Sequence, residues 1–216
     1  MVRSSKPDHF VELQALDAGY VPDKPVLRGV DLALSEPGIV HVAGPNGSGK
    51  STLVEVLSGY LLPAAGSALV SGLAASSAQA HLHRRICRTE PALYPMMSVR
   101  DHLIFASRWC GADPQEALDR AESYGLGEWL DHAAETLSTG NRRRLWIIQC
   151  TVGSFSTVVL DEPFNGLDQA SEAVLAAELH AWSDTRCVVL VAHQPPPVLH
   201  VDRVLAWPPA PLANVS

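Results

Sequence analysis

The sequence predicts an α/β fold on a mostly parallel sheet. Three runs carry that prediction: GIVHVAG (38–44), STVVLDEP (156–163) and CVVLVAH (187–193) hold apolar, largely β-branched residues at consecutive positions, as strands covered on both faces do. Segments with helical spacing separate the runs, the pattern that builds parallel sheets. A long helical block near 90–150 reads as an insertion between two halves of the sheet.

In chain order, VELQALDA (11–18) and VLRGVDLAL (26–34) alternate or cluster apolar residues as strands, with the turn-rich GYVPDKP between them. GIVHVAG follows as a buried strand ending in glycine. STLVEVLS (51–58) has helical spacing and stops at Gly59. Residues 56–83 contain no Asp, Glu, Lys or Arg, but Gly59, Pro63, Gly66 and Gly72 interrupt them. A spanning helix needs about 20 predominantly apolar residues, so no membrane crossing is predicted. Segments 99–110, 114–124 and 126–134 look helical, and helical spacing resumes after Gly140. Residues 169–182 form a further helix, VDRVLAW (201–207) a last strand, and PPAPLANVS a loose end. The opening MVRSSKPDHFVELQAL has no apolar core of a secretory leader.

The chain has 216 residues, 47% of them hydrophobic and 18% charged, enough for a well-filled core. Its formal net charge of −7 argues against a nucleic-acid binder held by phosphate contacts. Cys87, Cys110, Cys150 and Cys187 are widely spaced without a CxxC pair and read as reduced, cytosolic thiols. The histidines show no metal-binding spacing, so no structural metal is predicted.

Gly44-Pro-Asn-Gly-Ser-Gly-Lys-Ser51 fits G-x-x-x-x-G-K-[ST], after a strand and opening a helix. Its glycines turn backbone N–H groups toward phosphates, and the helix N-terminus adds its positive dipole end. Lys50 reaches β- and γ-phosphates, and the Ser51 hydroxyl suits Mg²⁺. Asp161 and Glu162 stand where a buried strand emerges at its carboxyl end. Asp161 suits a direct or water-mediated Mg²⁺ contact and Glu162 the polarising of an attacking water; a pair of solvated acids is the plain alternative. Leu137-Ser-Thr-Gly-Asn141 opens a helix and reads either as an anion site or as a simple N-cap. Arg142 to Arg144 read as a solvated or interface face. His193 ends a strand on the edge expected to carry Asp161 and Glu162, where it either reaches the γ-phosphate side or is structural.

In this order the motifs resemble the ATP-binding cassette (ABC) family, and the match covers nearly the whole chain. Walker A falls at 44–51, the signature at 137–141, Walker B at 157–162 and the switch histidine at His193, with Asn165-Gly166-Leu167-Asp168 similar to the family's D-loop. Gly59 to Gly66 and Gly72 resemble the turn after the Walker A helix. The resemblance implies a P-loop NTPase (RecA-like) core, an N-terminal antiparallel β subdomain and an inserted α-helical subdomain. These form one domain over 1–216, with core and β subdomain at about 8–88 and 150–207 and the helical subdomain at about 89–149.

It also implies ATP and Mg²⁺ as cofactors. Nucleotide contacts then fall on Tyr20, which stacks on adenine, and on Gly44, Pro45, Asn46, Gly47, Ser48, Gly49, Lys50, Ser51 and Thr52. Magnesium falls to Ser51, Asp161 and Glu90, and catalysis to Lys50, Glu162 and His193. Two chains face head to tail, so that Ser138, Gly140 and Asp168 of one meet the nucleotide of the other. Two departures stand out: the signature reads LSTGN rather than LSGGQ, and Thr89 or Glu90 stands where the Q-loop glutamine belongs.

The resemblance further implies a transport ATPase, docked through the 89–110 region on a separate integral membrane permease. The other cassette chain is a copy or close relative, and the pair sits peripherally on the cytoplasmic face of the membrane. The segment Glu90 to Leu103 and the variant signature look like those of exporters. The alternative is a soluble cassette ATPase acting on a protein assembly; a regulator without turnover is disfavoured by Glu162 and His193.

Overall fold

The computed structural model describes residues 9–209; the readings of residues 1–8 and of 210–216 fall outside them. Two sheets organise the chain. The antiparallel sheet, in the order β2-β1-β4-β5, is made of β1 (Val11–Ala18), β2 (Leu27–Leu34), β4 (Ala65–Val70) and β5 (Leu73–Ala74). The parallel sheet, in the order β6-β7-β8-β3-β9, is made of β3 (Gly38–Ala43), β6 (Arg84–Cys87), β7 (Thr157–Asp161), β8 (Cys187–Val191) and β9 (Arg203–Ala206). The helices are α1 (Lys50–Leu57), α2 (Val99–Trp109), α3 (Pro114–Ser123), α4 (Thr139–Thr151) and α5 (Gln169–Ser183).

The central strands β3, β7 and β8 are buried on both faces because they are apolar at nearly every position. Val40, Val42, Val159, Val189 and Val191 pack with α1 and the antiparallel sheet. Ile39, Val158, Leu160, Val188 and Leu190 pack on the other face with α2, α4 and α5. Register makes these faces into rows: Val159 pairs with Val189 and Val189 with Val40, while Leu160 pairs with Leu190 and Leu190 with His41. Each strand thus contributes alternate residues to two cores.

β1 obeys its apolar pattern only through an irregularity. Val11 and Leu13 are buried, and the next buried residue is Leu16. Ala15 sits at φ 43°, and the pairing with β2 shifts between Leu13 and Leu16, which turns Leu16 back to the core.

The charge-free stretch 56–83 closes α1, then forms β4, β5 and a 3₁₀ turn at Gln79–Leu82. β6 was hidden by its arginines. Arg84 is nonetheless 3% exposed, because its guanidinium donates to the carbonyls of Ala75 and Ser58 and contacts His81 Nδ1. Burial pulls its pKa down to about 10.

Residues 126–134 depart from the expected helix. Leu126 and Leu130 are buried as the spacing demands, yet only Gly127–Trp129 and Ala134–Thr136 form 3₁₀ turns. The backbone here is committed elsewhere, since Val99 N–H bonds His132 O and Arg100 N–H bonds Leu130 O. Ala134 N–H goes to Met97 O, and that single proton cannot also serve the Leu130 carbonyl as a helix would require.

α3 is tied to α5 by one polar cluster. Arg120 donates to both carboxylate oxygens of Glu178, at 2.7 and 2.9 Å, and to Thr151 Oγ1, while the Tyr124 hydroxyl donates to Glu178. Proximity to Glu178 and burial raise the Tyr124 pKa, burial being the larger cause. Arg120→Ala is expected to lower unfolding stability by about 2 kcal/mol and the melting midpoint by roughly 4–8 °C. Urea and thermal unfolding followed by circular dichroism measure both.

Candidate functional site

The loop 44–49 joins β3 to α1. Gly49 caps the helix at φ 90°, and a Cβ there would stand 2.6 Å from Leu27 Cδ2, so the position rejects side chains on conformation and on space. A Cβ on Gly44 would run into the Trp207 carbonyl, whose residue donates its N–H to Ala43 O. Lys50 Nζ donates to the carbonyls of Gly44 and Pro45 at 2.7 and 2.9 Å, which folds the ammonium along the loop. Ser51 is exposed in the first turn, Thr52 is buried beside it, and Ser48 Oγ is buried without a hydrogen-bond partner. A glycine cradle, first-turn N–H groups, a lysine and an unsatisfied hydroxyl form a set of donors that fits phosphate.

β7 ends at Asp161, and β8 ends at Val191, two residues short of the expected strand end at His193. Asp161 pairs in register with Val191, and Val191 with Val42, so it faces the α1 side. Burial pushes its carboxyl pKa up; the Thr89 hydroxyl, Arg143 and Lys50 pull it back. Glu162 follows in the left-handed region at φ 49°, with its N–H on Val191 O at 2.7 Å. A non-glycine residue there stores strain that surrounding bonds must hold.

Arg143 on α4 supplies much of that hold. Its guanidinium donates to the carbonyls of Arg88, Thr89, Asp161, Glu162 and Pro163. The solvated face expected for 142–144 is therefore corrected at Arg143, which is 3% exposed. Nothing in the run Arg-Arg-Arg distinguishes the buried member; the helical phase, three residues before buried Trp146, was the available signal.

Together these elements enclose a cavity of about 350 Å³. Asn46, Gly47, Gly49, Lys50, Ser51 and Thr52 line one side, Asp161 and Glu162 another, and Tyr20 with Val26 a third. Tyr20 is 58% exposed, so its ring stands free to stack. Thr89 and Val191 complete the wall. Glu90 is exposed and outside the lining, while Thr89 lies on it with Oγ1 3.5 Å from Asp161 O.

Ser138, Gly140, Asp168 and His193, like Gly44, Pro45, Ser48 and Glu90, are not among the residues that line this cavity. Ser138 caps α4, its Oγ accepting from Asn141 N at 3.2 Å. Gly140 faces the D-loop, where a Cβ would sit 3.3 Å from Gly166 O. Asp168 caps α5 through Ser171 N and accepts from Arg144 Nη2 at 2.7 Å; the backbone bond from Ser171 and then Arg144 hold its carboxyl below the usual range. His193 is exposed, two residues past β8. Among the described residues no helix is long and apolar enough to cross a membrane.

Comparison with known proteins agrees with this geometry. The chain belongs to the ABC transporter family, whose family model matches residues 27–165. It is an ATP-binding cassette of that family. It is 33% identical over 95% of its length to the whole of the cytochrome c biogenesis ATP-binding export protein CcmA of Aromatoleum aromaticum. It is 29% identical over 86% of its length to the taurine import ATP-binding protein TauB of Ruegeria pomeroyi, covering 71% of that chain. Its fold matches a dimeric bacterial ABC transporter cassette at TM-score 0.73, with 19% identity and coverage of 85% of this chain and 88% of that one.

Beside the cavity, Arg88 Nε and Nη2 grip Glu55 on α1 at 2.7 and 2.9 Å. The Arg88 hydrogen bond, against an opposing burial effect, holds the Glu55 carboxyl below its ordinary value. A carboxylate with a depressed folded pKa contributes stability that is complete above its unfolded value and lost as pH falls through the folded one. Glu55→Gln is therefore expected to cost about 1 kcal/mol near neutral pH. That difference should shrink to nothing below the carboxylate range, as urea unfolding of both proteins across acid pH would measure.

Proposed function

We propose that this chain binds and hydrolyses ATP as one half of a cassette dimer that drives export through a separate membrane-spanning permease. The observation that carries the reading is the convergence of the Lys50–Ser51 loop and the Asp161–Glu162 pair on one cavity, in a chain of this family. In this reading the whole chain works as one cassette, with the helical block at about 89–149 set between parts of the core.

The chain's groups divide the work. The loop N–H groups and Lys50 bind the β- and γ-phosphates and stabilise charge developing on the transferred oxygens. The Glu162 carboxylate accepts a hydrogen bond from the attacking water and orients it in line with the γ-phosphate. His193, just past the end of β8, turns to the γ-phosphate once nucleotide is bound, and Tyr20 stacks on adenine. Ser51 Oγ and Asp161 are hard oxygen donors suited to Mg²⁺, with the Thr89 hydroxyl rather than Glu90 on the wall beside them. When bound, that ion neutralises phosphate charge.

Ser138, Gly140 and Asp168 lie outside the chain's own cavity, which supports their facing the nucleotide of a second cassette, and a structural relative is described as dimeric. Docking on a permease is supported by a groove of about 870 Å³ between the turn that follows α1, β6 and the C-terminal ends of α2 and α4, rimmed by exposed Tyr60, Leu82 and Trp109. Relatives include both an exporter and an importer; the segment Glu90 to Leu103 and the LSTGN signature favour export.

Glu162→Gln is expected to bind MgATP, to lose turnover by about 100-fold or more, and to accumulate as an ATP-bound dimer in size-exclusion chromatography. Wild-type turnover in that variant would remove Glu162 from its role. Capture of the tagged chain from native membranes in mild detergent is expected to bring down a multi-spanning protein in stoichiometric amount. Recovery with a soluble assembly instead would replace the transport reading while leaving the ATPase chemistry in place.

A further inference from the structure

We infer that His41 is a positioning residue for this reaction, fixing the peptide that carries His193; the inference rests on the hydrolysis reading above. His41 occupies a place that the sheet would otherwise fill with an apolar residue. It lies on β3 in the row formed with Leu160 and Leu190, both fully buried, and is itself 7% exposed. An imidazole withdrawn from water there is tolerated only with a hydrogen-bond partner.

That partner is the carbonyl of Ala192, 2.9 Å from His41 Nε2. A carbonyl only accepts, so Nε2 carries the proton. Ala192 lies one residue beyond the last paired residue of β8, Val191, and is 4% exposed. The Ala192 carbonyl and the His193 nitrogen and Cα belong to a single planar peptide unit. Holding that oxygen fixes the plane from which the His193 side chain departs.

The neighbouring carbonyl is held in the same way from the opposite strand. Val191 O accepts the N–H of Glu162 at 2.7 Å. Successive carbonyls at the end of β8 therefore bind Glu162 on one side and His41 on the other. The strand end becomes a common reference for the residue that orients water and the residue that reaches the γ-phosphate. His41 touches neither and acts through the backbone between them.

The test is MgATP turnover and MgADP affinity for the full chain and a set of variants. His41→Phe keeps ring and volume but removes the donor. It should lower kcat by about 10- to 100-fold, the scale of a sub-ångström to 1 Å misplacement, with MgADP Kd unchanged. His41→Gln, whose amide nitrogen reaches the Nε2 position, should restore kcat to within about threefold. In a His193→Ala background, His41→Phe should cause no further loss, because residues acting as a unit are non-additive; a general loss of stability would not disappear in that background. Should His41→Phe fail to fold, His41→Val carries the same comparison without crowding. Wild-type kcat in His41→Phe, an undiminished loss in the His193→Ala background, or failure of His41→Gln to rescue would each overturn the inference. Normal turnover in His193→Ala would overturn the role of His193 itself, and the inference with it. A loss in His193→Ala but none in His41→Phe would overturn the inference alone.

Discussion

The buried guanidinium of Arg143 and the carbonyls it gathers are the constraint on which the site depends. Where parallel strands end, their last carbonyls lose ladder partners, yet the site requires the chain to leave the sheet at that edge. Arg143 answers for the ends of both β6 and β7, from Arg88 and Thr89 on one to Asp161, Glu162 and Pro163 on the other. A rigid fork of five N–H donors suits this arrangement as an ammonium would not. With those carbonyls held, Glu162 can stay at φ 49°, and Asp161 can stay buried among groups that partly oppose its desolvation. The same side chain anchors α4, whose N-terminus carries Ser138, so one residue ties the carboxylate edge to the signature helix.

Strand register then distributes chemistry between the two faces of the sheet. Asp161, Val191 and Val42 form one row, facing α1 and its phosphate loop; Leu160, Leu190 and His41 form the next, facing α5. A one-residue slip of β7 would exchange the faces and carry Asp161 away from Lys50. The continuous apolar runs within β7 and β8 oppose a slip only weakly by pattern alone. The fixed ends, Arg143 at β7 and the bonds of Glu162 and His41 at β8, supply the missing specification.

What was legible in the sequence followed from how sharply each element is constrained. The phosphate loop was legible because Gly44 and Gly49 meet backbone and side chains too closely for any Cβ. β3, β7 and β8 were legible because burial on both faces forces continuous apolar runs. β4 was not, since Ala-Gly-Ser-Ala-Leu-Val reveals its buried Ala68 and Val70 only faintly. β6 and Arg143 were missed for one shared reason: a guanidinium can be buried where carbonyls accept its N–H groups, and nothing local in the sequence marks such a residue. The extent of the 126–134 helix was misjudged because periodicity reports burial, which Leu126 and Leu130 satisfy, while the backbone at Leu130, His132 and Ala134 bonds the distant segment 97–100. Thr89 rather than Glu90 reaches the cavity wall because chain direction after β6, invisible in composition, decides which side chain turns inward.

In the signature segment, serving as a cap does not conflict with the anion contact proposed for Ser138. A hydroxyl has one proton to donate and two lone pairs to accept with. Ser138 spends a lone pair on Asn141 N–H, so its proton stays free for a phosphate oxygen. The first N–H groups of α4, at Thr139 and Gly140, have no partner within the helix. Thr139 replaces a glycine of the common motif, but it is exposed at the first helical position, where an L side chain is accommodated without strain. Asn141, shorter than the usual glutamine, accepts from Arg144, and Arg144 in turn holds Asp168. Asn141 thus links the signature to the D-loop within one chain, through Arg144 to Asp168 and the helix α5 that it caps.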